Sequence, residues 1–220
     1  MMFENVREVQ IKSVNGRINI EGWDNDYVEV DYTLHGEVDV EVEQEGDKLV
    51  IKEKPRTKKV LGIFQKSSDG WAEIELKVPR KVVVKAKNVN GELHAKNVRF
   101  TEAITVNGEL ELENCEAELI KTVNGEAKAS LPTAGPLKAT TMNGDIVLEI
   151  EELEDDIEVK SVNGDVVVRI TDFCDARIKV TKVNGDVEIA GIDSNDPVIG
   201  AGTYEVKVST VNGDVRVELI

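Results

Sequence analysis

Aromatic side chains are scarce in this chain: Trp, Tyr and Phe together make 4% of its 220 residues. A core built without them needs many small branched residues. The apolar 40% is accordingly carried mainly by Val, Ile, Leu and Ala, a composition that favours strands. Cysteine is limited to Cys115 and Cys174, 59 positions apart and in no CxxC pair, so neither a zinc site nor a disulfide framework is expected. Two semi-buried thiols in a reducing compartment fit that spacing. Histidine occurs only as His35 and His94, which leaves no Ser/His/Asp or Cys/His arrangement to assemble. Basic charge is short as well. Against 43 Asp and Glu stand 27 Lys and Arg, a formal charge of −16 that repels a phosphate backbone and argues against a nucleic-acid partner. The N-terminal MMFENVREVQIKSV alternates charge with Val and Ile; with neither a leader nor a membrane span in view, a cytoplasmic location is expected, with envelope association as the alternative.

What the chain has in abundance is one motif. An Asn-Gly pair recurs eight times, at Asn15-Gly16, Asn90-Gly91, Asn107-Gly108, Asn124-Gly125, Asn143-Gly144, Asn163-Gly164, Asn184-Gly185 and Asn212-Gly213. After Gly91 the glycines are 17, 17, 19, 20, 21 and 28 residues apart, the signature of one supersecondary unit with a fixed half and an insertable half. Two and four places after each glycine the residues are apolar, as in Leu110 and Leu112 or Val166 and Val168. That period of two describes a strand with one buried face. Five places before it another apolar residue recurs, as in Ile11, Ile120 and Val208, and Ser or Thr stands three places before it in six copies. A second strand therefore enters the pair.

Asn-Gly between alternating strands is also the usual signal for a two-residue hairpin. A hairpin at Asn212-Gly213 would place Val208, Thr210, Val215 and Val217 on one face and leave Val211 on the other, among Lys207, Ser209, Asp214 and Arg216. Every copy has Val or Met at that place, from Val14 through Met142 to Val211, so eight apolar residues would each forgo about 1.5 to 3 kcal/mol of burial. A solenoid in which the chain bends at Asn-Gly is expected to turn these residues inward, stack the asparagines into an amide ladder and use the glycine for a positive φ. The reading is thus an all-β solenoid, with an antiparallel meander closed into a barrel or sandwich as the alternative.

The units SVNGDVVV and TVNGDVRV, the run INIEGWDNDYVEVDY and the stretch IELKVPRKVVVKAKNVNGEL resemble the Toastrack family of bacterial and archaeal β-repeat proteins. The resemblance runs from about Val9 to Leu219. It implies a single-stranded right-handed β-helix-like fold and a non-enzymatic, adhesin-like role in assembling partners, and it carries no catalytic residues.

Residues 1–87 read as an N-terminal β cap holding the first repeat and an inserted hairpin, and 88–220 as the solenoid proper, in one continuous domain. Within the cap, Val60, Leu61, Ile63 and Phe64 lie between basic flanks and form the candidate partner-binding tip; Trp23 and Trp71 are expected to pack nearby. At the other end the strand DVRVELI is expected to be covered by the 190–205 excursion or to present an open edge for self-association. The residues after the glycines, from Glu92 to Asp214, form a carboxylate row that a divalent cation could bridge. Lysines such as Lys12, Lys87, Lys121 and Lys160 balance it more simply, and no metal or other cofactor is expected. The pairs Asp24/Asp26 and Asp155/Asp156 stand in turn-like contexts, and the Gly-x-Gly of GAGT at 200–203 precedes a strand rather than a helix, so neither glycosidase nor dinucleotide chemistry follows. The expectation is a non-enzymatic scaffold with a protein partner or a second copy of itself, and a carbohydrate-binding or carbohydrate-active β-helix as the alternative.

Overall fold

The computed structural model describes residues 1–60, 63–66 and 70–220. Among them there is no helix; 21 strands join in one sheet that folds into two facing walls, and two more form a separate hairpin. Each coil rises along one wall, bends at Asn-Gly and returns along the other. Glu8–Trp23 does both within one strand of 16 residues: its first half pairs with Val83–Asn90 and its second with Leu93–Lys96, both in parallel. The remaining corners register on this one, with Asn90 opposite Asn15, Asn107 opposite Asn90 and Asn124 opposite Asn107, then bridges from Asn124 to Asn143 and from Asn143 to Asn163. Hairpins would have paired the two arms of each corner antiparallel; here each arm pairs with the same arm of the next coil.

The core is the thin space between the walls. It is filled from one side by residues such as Ile18, Leu93, Leu110 and Val166 and from the other by Ile11, Ala86, Ala103 and Ile120, all buried. Coils only one side chain deep have little room for rings, and Phe100 is the aromatic among the largest fully buried side chains.

The valine before Asn-Gly does not turn inward. Val14 is 37% exposed, Met142 53% and Val183 69%, and Val106 and Val123 are half-buried. The strand's alternation continues up to the bend, so the inward place falls one residue earlier, on the polar Ser13, Asn88, Thr105, Thr122, Thr141, Ser161 and Thr210, all buried. Stacking is the correct fold, but the burial of this valine is not its cause.

The coils also do not stack in chain order. Asn163 bridges to Asn212, and Asn184 lies beyond it, opposite Asn212. The final strand Val215–Leu219 is therefore sandwiched between Val166–Ile170 and Val187–Ala190, and it presents no open edge. The excursion after Ala190 covers Ala176–Ile178 instead. The Ala176 N–H donates to the Ile199 carbonyl at 3.0 Å, the Ile199 N–H to Ala176 at 2.8 Å, and the Ile178 N–H to Pro197 at 2.9 Å.

At the opposite end the parallel stack is closed by antiparallel strands. Beyond Glu8–Trp23, Trp71–Pro79 on one wall and Lys48–Pro55 on the other are still parallel to it; the antiparallel strands are Tyr27–His35 and Met2–Glu4 on the first wall and Val38–Glu45 on the second. Trp71 stacks on His35 with ring centres 4.0 Å apart, and Trp23 meets Tyr27 edge-on at 4.9 Å. The hairpin of Thr57–Val60 and Ile63–Lys66 pairs Val60 with Ile63.

The buried hydroxyls of Thr105, Thr122, Thr141 and Ser161 have no hydrogen-bond partner among the described residues, so removing one stabilises rather than disrupts. Thr122→Val is expected to raise stability by about 1 kcal/mol, whereas Gly125→Ala is expected to cost about 3 kcal/mol or more. Chemical denaturation of the two variants checks both signs.

Candidate interaction surface

The Asn-Gly corners form one continuous edge. Each asparagine donates its amide Nδ2 to the Oδ1 of the neighbour nearer the cap: Asn90 to Asn15, Asn107 to Asn90, Asn124 to Asn107, Asn143 to Asn124, Asn163 to Asn143, Asn212 to Asn163 and Asn184 to Asn212, at 2.7–2.9 Å. Asparagine suits this place because one amide both donates and accepts. Glycine is required beside it. At Gly125, where φ is +145°, an added Cβ would stand 2.0 Å from the Gly108 carbonyl oxygen. At the cap end the Asn15 amide donates to the Gly70 carbonyl at 3.4 Å, and buried Glu53 closes the corner's backbone: its Oε2 accepts from the Ser13 hydroxyl, from the Val14 N–H at 2.7 Å and from the Asn15 N–H at 3.0 Å.

On one side of the asparagines stand the outward Val and Met residues, one per rung, an aliphatic stripe about 34 Å long for seven steps of about 4.8 Å. On the other side stands the carboxylate row, and its two halves behave differently. Aspartate is short enough to reach the neighbouring backbone, so Asp145 accepts from the Asp165 N–H, Asp165 from Asp214 and Asp214 from Asp186, each at 2.8 Å. The longer glutamates take side-chain cations. Glu92 accepts from Arg17 Nε at 2.7 Å, and that bond, followed by the one from His94, holds its carboxyl below the usual range; Glu126 meets Lys128 at 2.8 Å. Among the described residues no three His, Cys, Asp or Glu side chains gather to hold a metal ion.

The wall faces are covered by similar pairs. Lys160 and Lys138 flank Glu158 and lower its carboxyl, Lys160 more strongly, and Lys179 and Lys207 do the same to Glu205. An open groove of about 490 Å³ crosses one wall between Asn19, Glu21, Lys77, His94 and Glu111. No Trp, Tyr or Phe lines it, so it lacks the usual stacking platform for a sugar ring.

The other candidates are accounted for locally. Asp24 and Asp26 meet Arg80 at 2.8 Å and Lys81 at 3.3 Å. Asp155 accepts from the Asp156 N–H and Asp156 from the Glu205 N–H, both at 2.7 Å. Cys115 and Cys174 are buried free thiols; burial pushes Cys115 up to about 11 and raises Cys174 as well, which keeps both as unreactive thiols. Of the four tip residues, Val60, Ile63 and Phe64 lie on the separate hairpin, and Leu61 lies outside the described residues. The aliphatic stripe is the feature that sequence reasoning misplaced, having assigned it to the core. Its signal was present in the strict alternation, which puts the Ser/Thr position inward and the next residue outward.

The GAGT loop wraps a carboxylate of its own chain. Asp175 accepts from the Thr203 hydroxyl at 2.5 Å and from the Ala201 and Gly202 N–H groups at 2.5 and 2.8 Å. The hydroxyl bond first and the backbone bonds after it hold this carboxyl below its ordinary value of 3.8. A depressed folded pKa stabilises above the unfolded value and is lost as pH falls through the folded one. The Ala201 and Gly202 amide resonances are therefore expected to move together only below the ordinary carboxylate range, and to lose that transition in Asp175→Asn.

Comparison with known proteins agrees with this architecture. No functionally curated protein matches the sequence. A solved structure of a candidate adhesin from Bacteroides fragilis NCTC 9343 is similar over 100% of this chain and 96% of its own, with 14% identity and a TM-score of 0.50. A candidate cell adhesion protein from Clostridium sporogenes ATCC 15579 is aligned over 99% and 94%, with 14% identity and a TM-score of 0.38. The sequence profile of the Toastrack DUF4097 family matches residues 84–218. With that match over more than half its length, and with the stacked Asn-Gly coils that fill it, the chain belongs to the Toastrack DUF4097 family.

Proposed function

We propose that this protein is a non-enzymatic, adhesin-like scaffold that docks a protein partner along its corner edge. The observation that carries the reading is the aliphatic stripe: Val14, Val89, Met142, Val162 and Val211 stand in one line outside the core, each 37–53% exposed. A hydrophobic centre rimmed by amides on one flank and by charge beyond is the usual anatomy of a docking surface. The adhesin description of the Bacteroides protein, which shares this fold, supports the same reading. It also favours an envelope setting over a cytoplasmic one.

The sequence segment with Val60, Leu61, Ile63 and Phe64 is a second contact in this proposal, since an apolar run flanked by lysines suits a partner with acidic and apolar surface. The carbohydrate alternative rests on the groove near His94, and the lack of a Trp, Tyr or Phe in its lining weighs against it.

The triple change Val89→Thr, Met142→Gln and Val162→Thr alters only outward positions, so each step is expected to change stability by no more than about 0.5 kcal/mol. Partner capture from cells of the source organism is expected to weaken about tenfold for each ~1.4 kcal/mol of contact removed. Undiminished capture by the triple variant would overturn the stripe as the docking edge. Loss on Phe64→Asp alone would move the contact to the hairpin, and binding on a glycan array would favour the carbohydrate reading.

A further inference from the structure

The far end of the stack is the Asn184 rung, an internal part of the chain, and it is only half covered. The excursion seals Ala176 to Ile178, but every residue from Thr181 to Glu188 is exposed. Val180 and Ile189, whose counterparts Val208 and Val217 are buried one rung inward, are only half-buried here. The amide ladder ends at Asn184, whose Oδ1 meets no donor among the described residues. Such an edge is a template for another strand.

One residue of this rung breaks the pattern. At the inward place three before the glycine, the other seven rungs carry Ser, Thr or Asn. Two of these side chains reach the glycine carbonyl of the neighbouring rung: Asn88 donates to Gly16 at 3.0 Å and Thr210 to Gly164 at 3.4 Å. This rung has Lys182. Its ammonium folds back to donate to the carbonyl of Gly185 in its own rung and lies 4.0 Å from Asp186. It thereby occupies the carbonyl that corresponds to the acceptors of Asn88 and Thr210.

We propose that the Asn184 rung is a latent self-association surface for a second copy of this chain, held closed by Lys182. The edge is self-complementary. A two-fold axis perpendicular to the stack and through this corner lays Lys179–Lys182 of one copy, beyond the part sealed by the excursion, antiparallel over Val187–Ala190 of the other. The register that keeps inward side chains facing inward pairs Val180 with Ile189 of the second copy, and symmetry repeats the contact. The same register sets Lys182 against Val187 of the second copy, burying an ammonium against an aliphatic side chain. That cost keeps the wild-type chain from closing the contact. This inference is independent of docking along the stripe, which lies on a different surface.

Light scattering after size exclusion tests it. The wild-type chain is expected to remain at 24.2 kDa at all concentrations, as is Lys182→Arg, whereas Lys182→Thr is expected to shift toward twice that mass as concentration rises. Lys182→Ser, which copies Ser13 and Ser161, serves as a second variant should the first fold poorly, with unchanged thermal melting as the check. Adding Ile189→Lys to either is expected to restore the monomer. A wild-type dimer, folded Lys182 variants that stay monomeric at their solubility limit, or a dimer indifferent to Ile189→Lys would each overturn the proposal.

Discussion

The fold depends on a contact that only glycine permits: the carbonyl oxygen of one corner sits where the next corner's Cβ would be. At Gly108, Gly125, Gly144 and Gly164 that separation would be 2.0–2.1 Å, far inside any tolerable contact, so any side chain there must push two coils apart. Because coils are spaced by backbone hydrogen bonds at about 4.8 Å, displacement at one corner would also break the strand pairing on both walls. The asparagine amides exploit the same spacing, since an amide can bond to its own kind above and below only when the rungs are in register. The motif is thus a register device first, which explains why it is invariant while the opposite bends vary in length.

With register fixed, side-chain placement follows from alternation, and alternation does not consult hydrophobicity. It turns Thr105 and Thr122 inward, where their hydroxyls find no partner, and turns valine outward beside them. A chain optimised only for stability would exchange the two. Carrying the polar residue inside and the apolar one outside costs free energy on both counts, and the cost recurs on successive rungs. That recurring cost on successive rungs is what supports the proposed docking along the corner edge.

The strands, the eight corners and the stacked architecture were legible in the sequence because each rests on a short period that stacking repeats. The direction of the corner valine was legible too but was misread: alternation leaves it outward in the hairpin and in the coil alike, so its apolar character could not choose between them. The order of the last two coils was hidden for a related reason. Val180, Val187 and Ile189 match Val208, Val215 and Val217 position for position, and either coil could sit beside Asn163 by core pattern alone. What distinguished them was visible as a departure: Lys182 stands where other copies have Ser, Thr or Asn, and a lysine at an inward place is tolerable only on a rung with solvent beyond it. Glu53 as the closing acceptor at the cap end gave no such signal, because it lies outside the repeat.

The insertion of the final coil also changes how the molecule holds together. In a stack built in chain order the last rung touches only its predecessor and can peel away at little cost. Here the coil from Tyr204 to Leu219 pairs on one side with Ile157–Lys160 and Val166–Ile170 and on the other with Ala176–Asn184 and Val187–Ala190. The end rung therefore has no wall to lie on until the last segment has entered, and the last segment cannot leave without freeing both neighbours. Two rungs that would otherwise fray in sequence are bound into one cooperative unit. The outermost edge belongs to a mid-chain segment fastened by Asp175 and the GAGT loop, so the exposed rung is held at both of its ends.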